Sequence, residues 1–148
     1  MLGFRRLLLV ALLVVTAARA DAPAFDLTQY QGKLVYLDFW ASWCKPCRQS
    51  FPWMDAMQKK YGADGLVIVA VDEDEQPVDG RKFLAEVPVG FTVIGDPQGA
   101  LAERYALIGM PSSFLIGRDG QVLQKHQGFF DDSPAAFEAE IRAALGKQ

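Results

Sequence analysis

Apolar positions in this chain fall into two patterns whose alternation lays out the fold. Leu34-Val35-Tyr36-Leu37-Asp38-Phe39-Trp40 and Leu66-Val67-Ile68-Val69-Ala70-Val71 are nearly unbroken apolar runs, as expected of central strands buried on both faces. Between them, residues 44–61 read as a helix. Pro46 falls in its first turn, where a missing N–H has no intrahelical partner to lose. Pro52 lies inside and is expected to kink it. Gly62 and Gly65 close that segment. An acidic loop, Asp72-Glu73-Asp74-Glu75, then runs to Pro77 and reads as a solvated stretch, with partner steering or weak cation binding as the other uses. Short helices are expected over 80–86 and 98–105, with a strand over 91–94. Residues 113–116 and 121–125 read as two strands joined by a turn at Asp119-Gly120. Ser133-Pro134 opens a last helix with Phe137, Ile141, Ala144 and Leu145 on one face. Strands alternating with helices and ending in a hairpin predict an α/β sandwich around a central mixed β-sheet flanked by helices.

The first twenty residues break this pattern. Arg5 and Arg6 precede the apolar run Leu7 to Val15, and Ala18-Arg19-Ala20 offers a small-x-small site, the layout of a secretory signal peptide. Nine uninterrupted apolar residues fall well short of the roughly 20 that a spanning helix needs, although an uncleaved inner-membrane anchor is the other reading. No cysteine follows the run, which excludes a lipoprotein. The expected organisation is a signal peptide at 1–20 and one domain at 21–148, placed in the periplasm.

Composition adds little to the fold and more to the partners. At 148 residues, with 51% hydrophobic and 22% charged positions, the chain suits one globular domain. Cleavage after Ala20 removes three arginines and leaves 12 basic against 18 acidic side chains. A moderately acidic domain has no electrostatic reason to bind nucleic acid or anionic lipid. A monomer is expected.

The chemistry concentrates at Trp43-Cys44-Lys45-Pro46-Cys47, which holds both cysteines of the chain where the first strand gives way to a helix. A two-residue loop removes little chain entropy from the unfolded state, so the spacing suits thiol exchange better than a structural staple; an inert disulfide is the competing reading. Cys44, at the helix N-terminus, faces unpaired N–H groups and the positive end of the helix dipole, which favour a thiolate. Lys45 adds a nearby positive charge. Cys47, one turn further in, is the expected resolving thiol. A haem-attachment motif needs His where Arg48 stands. A zinc site needs about four Cys or His ligands, against two Cys and one His here. No metal is expected, nor any cofactor beyond the disulfide itself. The single histidine, His126, lies on an expected strand and reads as a surface or boundary residue, with a catalytic role as the other reading.

Asp38 interrupts an apolar strand six residues before Cys44. Poorly solvated there, its carboxyl would hold a proton near neutral pH and exchange it with Cys47; the other reading points it into a solvated gap.

Asp38-Phe39-Trp40-Ala41-Ser42-Trp43-Cys44-Lys45-Pro46-Cys47 resembles the active-site strand and helix of thioredoxins, and Gly109-Met110-Pro111-Ser112 resembles their Gly-x-Pro-Ser/Thr loop. The exported TlpA/ResA-like branch is most similar, sharing Phe25-Asp26-Leu27 through Gly32-Lys33 and the Phe114-Leu115-Ile116 to Asp119-Gly120 hairpin. The resemblance implies a thioredoxin-like fold with a TlpA-like insertion between the second core strand and the cis-proline loop. It implies a cis Pro111 beside the cysteines, a Met110 backbone offered to an extended substrate peptide, and Trp43 on the same docking surface. A plain apolar contact is the alternative for Met110. Two departures stand out: Ser50 where many relatives have Glu, and no lysine on the strand 66–71, so the charge state of Asp38 depends more on desolvation.

These readings converge on a thiol–disulfide oxidoreductase that reduces disulfides of exported proteins. The resemblance implies apocytochrome c or copper-site cysteines as clients and a membrane-embedded thiol reductant as electron donor. The lean toward reduction rests on Pro46 and kinship; a thiol oxidant or disulfide isomerase shares the chemistry. A different class is a non-catalytic Cu(I) chaperone using both thiolates as soft ligands. No Met or His motif clearly completes such a site, and Met54 and Met57 read as core.

Overall fold

The computed structural model describes residues 25–146, so the expected signal peptide lies outside the described residues. β1 (Leu34–Trp40) is buried along its whole length. On one side it pairs in parallel with β2 (Leu66–Asp72), from Leu34 opposite Leu66 to Trp40 opposite Asp72; on the other it pairs antiparallel with β4 (Ser112–Ile116). β3 (Thr92–Gly95) extends the sheet beyond β2 and β5 (Val122–Gln127) extends it beyond β4, giving the order β3-β2-β1-β4-β5. The mixed sheet of the α/β sandwich is thus as expected.

Because strand side chains alternate in direction, β1 feeds two cores. Leu34, Tyr36 and Trp40 meet α1 (Lys45–Tyr61), α2 (Pro77–Glu86) and α4 (Ser133–Ala144) through Phe51, Met54, Met57, Phe83 and Ile141. Val35, Leu37 and Phe39 meet α3 (Ala100–Arg104) and the segment before β1 through Leu101, Leu27 and Tyr30. Met54 and Met57 are core residues, and α4 turns Phe137, Ile141, Ala144 and Leu145 toward the first core. Phe51 ties that core together, edge-on to Trp40 at 4.7 Å, Phe83 at 4.9 Å and Phe91 at 5.5 Å between ring centroids. Aromatic pairs of this kind contribute about 0.5–1.5 kcal/mol each beyond the area they bury.

The start of α2 moves from its expected place, while α1 covers the stretch expected of it. α2 begins at Pro77, three residues early, because proline's fixed φ suits the first turn of a helix and Gln76 supplies the extended residue before it. α1 continues through Pro52 as one helix, with Cys44 as its N-cap. The connection from β2 to Pro111 carries α2, β3 and α3. The hairpin turn is where the sequence places it: Gly120 adopts φ +82° and its N–H donates to the Gly117 carbonyl at 2.9 Å.

Gly80 lies inside α2 for a steric reason, since a Cβ there would overlap the Asp72 carboxylate. Gly80→Ala is expected to cost about 1–3 kcal/mol through that overlap, read as a lower urea midpoint; an unchanged midpoint would show that Asp72 moves aside freely.

Candidate functional site

β1 ends at Trp40 and α1 starts at Lys45, and the turn between them delivers Cys44 to the helix N-terminus. Cys44 has extended backbone (φ −81°, ψ 103°), and its Sγ accepts a hydrogen bond from the Cys47 N–H at 3.4 Å. One of the helix's unpaired donors is therefore aimed at sulfur. The first turn carries no acidic residue that would oppose negative charge there. Cys44 and Cys47 are joined in a disulfide with Cα atoms 5.3 Å apart. Cys47 is fully buried and Cys44 is 5% exposed, so the N-terminal sulfur is the more accessible one. Lys45 is exposed, Pro46 half-buried, and Trp43 stands 71% exposed.

The acidic loop is not a solvated stretch: Asp72 and Asp74 are buried, Glu73 is half-buried, and only Glu75 faces water. Asp74 is drawn inward to hold the turn before Cys44. Its Oδ2 accepts from the Ser42 N–H and its Oδ1 from the Ser42 hydroxyl, both at 2.9 Å. Asp72 Oδ1 in turn accepts from the Asp74 N–H at 3.0 Å, and the Glu73 N–H donates to the Trp40 carbonyl at 2.8 Å. Burial pushes the Asp72 carboxyl up to about 6. Burial, reinforced by neighbouring Asp96, pushes Glu73 up to about 8. Charge density along the sequence suggests solvation, and nothing local in Ser42 or Asp74 reveals that they pair across 32 positions.

Asp38 is 2% exposed and its Oδ2 has no hydrogen-bond partner among the described residues. Burial raises its pKa well above the ordinary carboxylate range. Strand alternation puts it on the face shared by Tyr36 and Trp40, under the helices, and not in a solvated gap. Burial, then the nearby Asp38 charge, raises the Tyr36 phenol. Tyr36 OH and Ser113 Oγ are 2.7 Å apart, and Ser113 Oγ lies 3.3 Å from His126 Nδ1. His126 Nε2 lies 2.6 Å from Glu140 Oε2. The histidine expected at a boundary is thus bridged at both ring nitrogens.

The Met110–Pro111 peptide bond is cis. Because β4 runs antiparallel to β1, with Ser112 opposite Phe39, Pro111 lies at the sheet end from which the Cys44 turn emerges. The Pro111 carbonyl accepts from the Gly128 N–H at 2.8 Å and Ser112 Oγ donates to the Gly109 carbonyl at 2.7 Å, which fixes the loop. Met110 packs its side chain against the core cluster containing both cysteines, and among the described residues nothing takes up its backbone N–H or carbonyl. Among the described residues no group of three or more His, Cys, Asp or Glu side chains is placed to hold a metal, and no helix is long and apolar enough to cross a membrane.

Residues 12–144 match the Redoxin family model. The chain is similar to the thiol-disulfide oxidoreductase ResA of Bacillus thuringiensis subsp. konkukian, 38% identical over 108 residues that make up 73% of this chain and 62% of that protein. ResA of Bacillus subtilis is 32% identical over 124 residues, 77% of this chain and 69% of that one. The match thus spans less than two thirds of the first of these relatives. Among solved structures, a Chlorobium tepidum protein described as a thiol:disulfide interchange protein, DsbE, superposes with a TM-score of 0.80 at 55% identity, over 81% of this chain and 85% of that one.

A buried carboxyl with a raised pKa holds its proton more tightly in the folded than in the unfolded protein. Its contribution is complete below the unfolded value near 3.9 and is lost as pH climbs toward the folded value, at up to about 1.4 kcal/mol per pH unit. Denaturant titrations between pH 4 and 8 are expected to show Asp38→Asn gaining on the wild type as pH rises. Parallel curves would mean that Asp38 ionises as an ordinary carboxylate.

Proposed function

This chain belongs to the Redoxin family, and on that premise we propose that it is a periplasmic thiol–disulfide oxidoreductase that reduces disulfides in exported proteins. The observation that carries the reading is the Cys44 sulfur at the N-cap of α1, accepting the Cys47 N–H. The donor that meets sulfur in the disulfide also stabilises a Cys44 thiolate. Kinship with proteins named as thiol-disulfide oxidoreductases supports the reaction type.

In the working direction, the Cys44 thiolate attacks a substrate disulfide, one substrate thiolate leaves, and a mixed disulfide forms. Cys47 gives its proton to the Asp38 carboxylate, and its thiolate attacks Cys44 Sγ. The second substrate thiolate leaves. The substrate has then gained two electrons and Cys44–Cys47 is oxidised. In the return half-reaction a membrane-embedded thiol donor supplies two electrons, and Asp38 protonates Cys47 as it departs. Substrate lies extended along the unpaired Met110 backbone, beside cis Pro111 and under exposed Trp43, in a short β-like addition. Lys45 and Pro46 tune the pair. No cofactor beyond the disulfide takes part, and the protein acts as a monomer after cleavage behind Ala20. Apocytochrome c or copper-site cysteines fit as clients.

Equilibration of the pair against dithiothreitol tests the direction. A potential well below the roughly −120 mV of a strong oxidant is expected, and about 30 mV shifts the ratio tenfold; a value near the oxidant's would make the protein an oxidant or isomerase. Cys44→Ser is expected to abolish insulin-disulfide reduction, and Cys47→Ser to trap a mixed disulfide with substrate on Cys44. Retained turnover in Cys44→Ser would remove the assignment altogether.

A further inference from the structure

Ser42 lies in the turn that ends at Cys44, and three hydrogen bonds pin it from two sides. Asp74, in the loop after β2, accepts from its N–H and from its hydroxyl, both at 2.9 Å, and Arg48 of α1 donates to its carbonyl at 3.4 Å. The Cys44 N–H donates to the Ala41 carbonyl at 3.0 Å, which folds the turn tightly. Two residues span at most about 7 Å of chain, so the carboxylate seated on Ser42 lies on the order of 10 Å from the Cys44 sulfur. Asp74 is 4% exposed, and salt screens a buried charge far less than one in water.

The first turn of α1 carries no acidic residue of its own, yet the fold brings one to its mouth from the β2 side. An ionised carboxylate there repels a thiolate held at the same helix end. Asp72 Oδ1 accepts from the Asp74 N–H, and the Asp72 carboxyl, raised to about 6, adds negative charge above that pH. Glu73, raised to about 8, neighbours Asp96, whose oxygens accept from the N–H groups of Ala100, Leu101 and Ala102. Two cations lie on the α1 side: Arg48, which also meets Glu86 at 3.8 Å, and Lys45. Both are exposed and so weakened by solvent, whereas Asp74 is not.

We propose that Asp74 is a positioning residue for the cysteine pair: it holds the turn through Ser42, and its buried charge disfavours the Cys44 thiolate and so makes the pair more reducing. The inference rests on the dithiol–disulfide cycle proposed above, with Cys44 as nucleophile. In that cycle the Cys44–Cys47 bond forms as a client S–S bond breaks, and two electrons and two protons pass to the client. Only the reduced protein can hold a thiolate. A charge that repels the thiolate therefore raises the free energy of the reduced form and leaves the disulfide untouched, so electrons depart more readily.

Asp74→Asn separates charge from clamp, because the amide oxygen can accept the Ser42 N–H while its NH₂ donates to the Ser42 hydroxyl. In the full chain, Cys44 ionisation is read from the pH dependence of iodoacetamide alkylation of the reduced protein. The pair is also equilibrated against dithiothreitol from pH 6 to 9. In Asp74→Asn the acid dissociation constant of Cys44 is expected to rise about fivefold, the effect of one unit charge at this range. The redox equilibrium should move toward the dithiol increasingly with pH, by up to the same factor, or about 20 mV. Asp74→Glu keeps the charge and disturbs the clamp, so Cys44 should ionise as in the wild type even where the urea midpoint falls. Asp74→Asn ionising like the wild type, a shift toward the disulfide, a shift indifferent to pH, or a matching rise in Asp74→Glu would each overturn the role. A wild-type potential near a strong oxidant's, with the Asp74→Asn shift intact, would sink the reductant direction and leave the role of Asp74 standing. If Cys44→Ser still reduces insulin disulfides, the cycle falls and this role with it.

Discussion

The burial of β1 on both faces is the constraint from which the site follows. A strand covered by helices on one side and by α3 and the entry segment on the other leaves the sheet only at its end. It does so at Trp40, whose indole packs against Phe51 and Phe83 and so fixes where α1 and α2 lie. The turn from Trp40 to α1 then sets Cys44 at a helix N-terminus, with Cys47 one turn deeper in the same core. Because β4 runs back alongside β1, the cis-proline loop opens at the same end. The cysteine pair and the cis-proline loop thus come from segments far apart in sequence because one strand is central.

The same dryness governs the carboxyls. Asp38 is raised by burial, with no basic partner among the described residues to offset it. At the mouth of the site, Asp72 and Asp74 spend their oxygens on backbone and hydroxyl donors, and Ser42 is held from both its N–H and its hydroxyl. The turn leading into Cys44 is therefore fixed from the β2 side as well as from its own helix. Gly80 is the steric condition of that arrangement, since α2 approaches Asp72 too closely for any side chain.

Much of this was legible in the sequence, for identifiable reasons. Long apolar runs mark β1 and β2 because both their faces are buried, and Cys44-Lys45-Pro46-Cys47 is local, so the end of the first apolar run and Pro46 placed it at a helix start. Gly120 announced the hairpin because its backbone needs positive φ. Contacts between distant segments were not legible. Asp72 to Glu75 read as solvated because charge is usually exposed, and only the folded chain brings Ser42 to Asp74. His126 read as a surface or boundary residue because nothing beside it in sequence marks a partner; its partners lie on β4 and α4, at separations set by register and helix packing. The start of α2 was missed because Pro77 closes a loop and opens a helix equally well.

The half-buried carboxyl of Glu73 has a consequence beyond the turn it belongs to. At about 8 it is mostly protonated at neutral pH, and Asp38 is displaced in the same direction, so the formal count of acidic side chains overstates the negative charge of the folded molecule. Unfolding releases these protons, and the denatured chain carries more negative charge than the native one. The native protein should migrate more slowly toward the anode, and focus at a more basic pH, than its composition implies. Under the proposed function, a client approaching exposed Trp43 would meet a weaker field than the residue count suggests, and recognition would fall more heavily on shape and apolar contact.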